Sequence, residues 1–135
     1  MQFDRNKSLR QLEDKDCGEP TYYSSLVVEC HRLHKIPLNE FTVENLRIAI
    51  GQNISLKYLI PIALEQLHIN PLAEGKYYPG DLLIAVVNVN DEFWLHYADW
   101  RNEVVEIAKG ATRLFVEPDD CDEYCIKQLQ NFLEK

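Results

Sequence analysis

The sequence predicts an all-α protein, a compact bundle of about six or seven helices. Three observations carry that expectation. Residues 54–69 and 91–109 repeat apolar side chains at intervals of three and four, the period of one helix face. The turn-forming residues Gly18-Glu19-Pro20, Pro37, Gly51, Asn70-Pro71, Pro79-Gly80, Gly110 and Pro118 cut the chain into pieces of helical length. The one stretch with strand-like composition, DLLIAVVNV at 81–89, has no convincing strand partner, so its backbone would stay unpaired in a sheet.

Residues 8–15 read as a short first helix, capped by Ser8, with Leu9 and Leu12 on one face. Residues 23–35 place Leu26, Val27, Cys30, Leu33 and His34 at helical spacing, and Pro37 follows where a helix must have stopped. Residues 42–51 open on Thr42, a good N-cap, with Glu44 in the first turn, Val43, Leu46 and Ile50 inward and Gly51 as the stop. Residues 54–69 carry Leu56, Leu59, Ile60, Ala63, Leu64 and Leu67, with Pro61 predicting a kink or break. For 81–89 the flanks favour a buried helix with Asp81 as N-cap after Pro79-Gly80. Residues 91–109 set Phe93, Tyr97, Trp100, Val104 and Ile107 along one helix, and 112–117 form a linker or a last turn. Residues 119–134 make the final helix, with Cys125, Leu129, Phe132 and Leu133 inward. Residues 1–135 are expected to form a single domain, with 1–7 as candidate disorder.

The composition narrows the class of function. An apolar fraction of 46% suffices for a core. The longest apolar run, Leu82 to Val87, is far short of the roughly 20 residues of a membrane span. The N-terminal stretch MQFDRNKSLRQLEDKD is charged and lacks the apolar centre of a signal peptide, so a cytoplasmic location is expected, with no membrane partner. The net charge is -8, which disfavours direct binding of nucleic acid and favours a cationic partner. The charge is uneven: residues 91–135 hold 11 acids and 5 bases, net -6.

The densest charge lies in EPDDCDEYC, residues 117–125, where Glu117, Asp119, Asp120, Asp122 and Glu123 surround Cys121 and Cys125. A helix start accounts for Asp119, Asp120 and Asp122, because carboxylates favour the positive end of a helix dipole. The surplus makes the stretch a candidate face for a basic partner. Asp91 and Glu92 extend that face, and Trp94, Tyr77 and Tyr78 are candidate anchors within it. Phe93, Trp94, Tyr97 and Trp100 would supply further anchors where they stay exposed; Phe93, Tyr97 and Trp100 read chiefly as core, while Trp94 stands open between core and surface. For Tyr77, Tyr78 and Asp81 a rigid turn with a capped helix explains most of the motif.

Catalytic signatures are absent: the chain has no phosphate-binding glycine loop, GxSxG elbow, HExxH or EF-hand loop. His31, His34, His68 and His96 read as ordinary surface or part-buried residues, and a Cys30 thiolate is disfavoured on an apolar stripe. The chain is therefore not expected to be an enzyme, and no cofactor is implied. The alternative is a metal-binding regulatory or adaptor protein using Cys121, Cys125, His31 and His34, although zinc signatures bring their cysteines closer together. Without a signal peptide, the four cysteines, Cys17 included, read as reduced thiols.

ISLKYLIPIALEQLHINPLAEGKYYPGDLLIAVVNV, residues 54–89, followed by EFWL at 92–95, resembles the small immunity proteins of contact-dependent growth inhibition systems. TVENLRIAIGQN at 42–53 and SLRQLE at 8–13 are similar to that family too, and NPLAEGKYYPGDLL at 70–83 is the most specific block. The resemblance implies a cytoplasmic protein that binds and neutralises the toxin domain, often a nuclease, of a cognate effector. It supports the helical reading of 81–89 and transfers no catalytic residue. The expected partner is then a basic toxin domain, held one-to-one.

Overall fold

A computed structural model describes residues 3–13, 24–114 and 120–134, with the side chains of 120–122 outside that description. The protein is all-α. Among the described residues there are eight α-helices and a single 3-10 turn, and no strand, only two isolated bridges.

Helix α1, Leu9–Glu13, starts at Ser8, whose hydroxyl accepts the Gln11 N–H while the Gln11 side chain accepts the Ser8 N–H. Helix α2, Ser25–Lys35, is capped by Ser24, ends at Ile36 and buries Leu33 and His34. Leu26, placed inward by its spacing, stands 45% exposed, because α2 packs only against the neighbouring α1 and α3 among the helix pairs in substantial contact. A 3-10 turn at Leu38–Glu40 leads to α3, Val43–Gly51, where Thr42 and Asn45 form a reciprocal capping box. Gly51 lies inside the last turn of α3, and the left-handed residue that follows is Asn53, at φ 57°.

Helix α4, Leu56–Ile69, runs uninterrupted through Pro61. The missing N–H would have bonded the carbonyl of Lys57, an exposed residue, while Leu59, Ile60, Ala63, Leu64 and Leu67 anchor the buried side. Helix α5, Asp81–Val87, settles the helix-or-strand ambiguity: every residue but Ala85 is buried, as suits a helix apolar all round. It touches α3, α4, α7 and α8 and forms the centre of the molecule.

The helix expected over 91–109 is two helices. Helix α6, Asp91–His96, ends at Tyr97, and α7 runs Ala98–Leu114. The apolar spacing continues across the break because both helices lean on the same core. Helix α8, Asp120–Leu133, packs on α7 and α5 through Cys125, Leu129 and Phe132. Residues 3–7 contact the helices that follow. Phe3 packs edge-on against Tyr58, the carbonyls of Arg5 and Lys7 accept the N–H groups of Asn39 and Leu38, and Arg5 pairs with Glu65.

Candidate protein-docking surface

The block NPLAEGKYYPGD forms a pinned loop between α4 and α5. Asp81, 3% exposed, does not cap α5 as expected; Gly80, left-handed at φ 91°, holds the N-cap position. The Asp81 carboxylate instead accepts the N–H of Gly75 at 2.7 Å and of Tyr77 at 3.1 Å, with Arg47 Nε 3.8 Å away. Glu44 on α3 binds Arg47 at 2.7 and 2.6 Å and accepts the Lys76 N–H at 2.8 Å. The Arg47 hydrogen bonds hold the Glu44 carboxyl below its ordinary range, against the opposing effect of burial. Arg47 in turn lies 4.6 Å from the centre of the Tyr77 ring. Tyr77 is 63% exposed, and Tyr78 is half-buried, its hydroxyl pKa pushed up to about 12 chiefly by that burial. Of this block, Tyr77 is the large apolar side chain most open to solvent, in a shallow groove shared with Leu26, Glu29, Glu44, Arg47, Ile48 and Lys76.

The acidic candidates are spread over two helix starts. Glu117 and Asp119 lie outside the described residues. Asp120 and Asp122 open α8, with their side chains outside the description, and Glu123 is exposed. Asp91 and Glu92 are exposed in the first turn of α6, whose N-cap is Asn90. Trp94 is not a surface anchor. It is 4% exposed and meets Phe132 of α8 edge-on at 6.3 Å, because the fourth residue of α6 points into the core.

Phe93, Tyr97 and Trp100, read chiefly as core, are each only partly buried. At the α6–α7 junction the Tyr97 ring stacks on Phe93 and on Trp100, each at 4.6 Å, with interplanar angles of 23° and 7°. Phe93 and Trp100 back onto the core, yet all three rings remain partly exposed. Leu95, beside them, is 82% exposed. Two shallow concavities flank Tyr97 and His96. One, of about 430 Å³, is lined by Leu95, Ala98, Asp99 and Trp100 as well; the other, of about 580 Å³, adds Leu56, Asn90, Glu92 and Phe93. Sequence reasoning raised Phe93, Tyr97 and Trp100 as anchors but favoured a core role, because a regular apolar period is the signature of a buried face. The available signal was Leu95, an apolar residue out of register with that period.

The chemistry of the remaining polar clusters is structural. His34 Nε2 lies 3.2 Å from Glu13 Oε1, which also accepts the Ser55 hydroxyl at 2.8 Å, tying α1, α2 and the start of α4 together. Burial and the neighbouring Glu29 raise the Cys30 thiol pKa, which disfavours a thiolate nucleophile. Cys125 is buried. Among the described residues, no group of three or more His, Cys, Asp or Glu could hold a metal ion, and no helix is long and apolar enough to cross a membrane.

The family model of CDI immunity proteins, those of contact-dependent growth inhibition, matches residues 11–104. The chain belongs to that family. No curated protein matches it. The matched span of this immunity-family protein runs from α1 into α7. It contains the pinned loop with Glu44, Asp81 and Tyr77, and also the aromatic elbow. The acidic stretch 117–123 lies beyond it. Family membership points to an immunity protein acting against a CDI toxin, a role carried by binding.

Proposed function

We propose that this protein is the immunity partner of a toxin domain at the C-terminus of a contact-dependent growth inhibition effector. The toxin is a basic domain, a nuclease, and the complex is one-to-one in the cytoplasm of the producing cell. The family match over residues 11–104 carries the reading. Neutralisation is occlusion of the toxin's active site or substrate channel, with no chemistry by the inhibitor.

The charge supports the pairing. A nuclease needs a positive surface to hold phosphate backbones. This chain has a net charge of -8, six units of it in residues 91–135. Complementary fields bring association to about 10⁸ per molar per second, fast enough to intercept an incoming toxin. Glu117, Asp119, Asp120, Asp122, Glu123, Asp91 and Glu92 supply much of that field, and exposed Tyr77 is an added contact.

The test pairs this protein with the C-terminal domain of the large exported protein encoded immediately upstream of its gene. Co-expression is expected to rescue growth, and stoichiometric addition to stop cleavage of RNA or DNA in vitro. Continued killing and cleavage in the presence of the folded protein would sink the reading.

A further inference from the structure

Each of the two concavities at the α6–α7 elbow combines an apolar or aromatic wall with one carboxylate. The first sets Leu95, Tyr97 and Trp100 beside Asp99; the second sets Phe93, Tyr97 and Leu56 beside Glu92. That composition suits a long cationic side chain, whose methylene stem needs apolar cover and whose head needs a negative partner. The two sites share Tyr97 and His96 as a common wall, so two cationic side chains would straddle them. Tyr97 is held against Phe93 and Trp100, and the stack is backed by the core, so little side-chain freedom remains to be lost on binding. Leu95 stands 82% exposed in the concavity that holds Asp99, and the exposed carboxylates of Asp91 and Glu92 precede it on α6 by about one turn. An apolar and aromatic centre within a charged rim is the anatomy of a protein-binding hot spot.

We propose that the α6–α7 elbow is the docking surface for the toxin's basic face, with one Arg or Lys side chain of the toxin in each concavity and Leu95 buried at the centre. The proposal rests on the immunity reading and locates its interface. It moves the anchor away from Trp94 and the 117–123 stretch, leaving the latter to long-range steering. Charge complementarity selects the occupant: a second copy of this chain would bring the same acidic rim against itself.

The experiment measures binding kinetics of the upstream-encoded toxin domain to wild-type protein and to Leu95→Arg, Tyr97→Ala, and Glu92→Gln combined with Asp99→Asn. Thermal melts by circular dichroism establish that each variant is folded, and Leu95→Arg is safe in this respect because its side chain is solvent-exposed. Leu95→Arg is expected to weaken binding by about thirtyfold or more, chiefly through faster dissociation. The double neutralisation is expected to slow association about threefold to tenfold and to flatten its salt dependence. Leu26→Arg, in the other groove, is expected to leave affinity within about twofold.

If Leu95→Arg and Tyr97→Ala bind as tightly as wild type, the elbow is not the interface, whatever the other groove does. If Leu95→Arg turns a self-associated protein monomeric and leaves toxin affinity intact, a second copy covers the elbow and the proposal is overturned. If wild type itself fails to bind the toxin domain, the immunity reading falls, and the proposed interface falls with it.

Discussion

At the scale of single residues, the pinned loop explains why its sequence is so particular. A Cβ on Gly75 would sit 2.5 Å from Glu44 Oε1 and 3.2 Å from the Glu44 Cα, with Asp81 Oδ2 also at 3.2 Å. Gly75→Ala must therefore displace the Glu44 carboxylate from its bonds to Arg47 and Lys76, and a loss of about 1–3 kcal/mol is expected by denaturant titration. Asp81→Ala removes the acceptor of two loop N–H groups in a buried position, and a loss of about 1–3 kcal/mol is expected in the same measurement. Glu44 adds a pH dependence. Its folded-state pKa lies below the ordinary 4.5, first through the Arg47 hydrogen bonds and then through the Lys76 N–H. The unfolded chain therefore binds this proton more tightly. The stabilisation is full above pH 4.5 and is lost as pH falls through the folded value below it. Glu44→Gln is expected to flatten the acid side of the stability–pH curve, measured by urea titration from pH 6 down to pH 3.

At the scale of elements, two caps were legible and the breaks were not. Ser8 and Thr42 stand where short polar side chains before an apolar period predict a helix start, whereas Ser24 caps a helix that the sequence reading began at residue 23. Thr42→Ala is expected to cost about 1 kcal/mol, read from the urea midpoint, since the Asn45 N–H would lose its hydroxyl acceptor. Pro61 predicted a kink or break, and α4 continues through it. The residue that loses its bond, Lys57, is exposed, and five buried side chains fix the helix on the other face. Pro61→Ala restores an N–H and is expected to raise stability by about 1–3 kcal/mol, with an increased thermal midpoint. The break at Tyr97 went unseen for the converse reason. A change of helix direction leaves the spacing of inward residues nearly unchanged when both pieces rest on one core, so Phe93, Tyr97 and Trp100 kept their period across the elbow.

At the scale of the whole molecule, charge is the property that sequence gives without structure. The net of -8 and its concentration after residue 90 predict an association rate with a basic toxin that drops at least about tenfold between 50 and 500 mM NaCl. A rate independent of salt, measured by stopped-flow mixing, would contradict steering by this field. Where the acids lie on the surface is another matter. Asp91 and Glu92 stand beside the aromatic elbow, whereas Asp120 and Asp122 open a different helix. The field can act at a distance, but contact is made only where shape and apolar area coincide with it.

The sequence by itself determined the helical class, most helix starts, the inward faces of α4 and α8, and the resemblance to CDI immunity proteins that the family match bears out. These depend on neighbours within a few residues along the chain, on spacing, capping and local composition. Only the tertiary structure decided that Asp81 serves a loop rather than its own helix, that Trp94 goes inward, and that Tyr97 and Leu95 come out. Those outcomes depend on distant partners: Glu44 and Arg47 against the loop, and Phe132 against Trp94. An aromatic residue at helical spacing has the same pattern whether its face is covered or open. Burial is set by what packs on it from elsewhere in the chain, and that is the information a linear period does not contain.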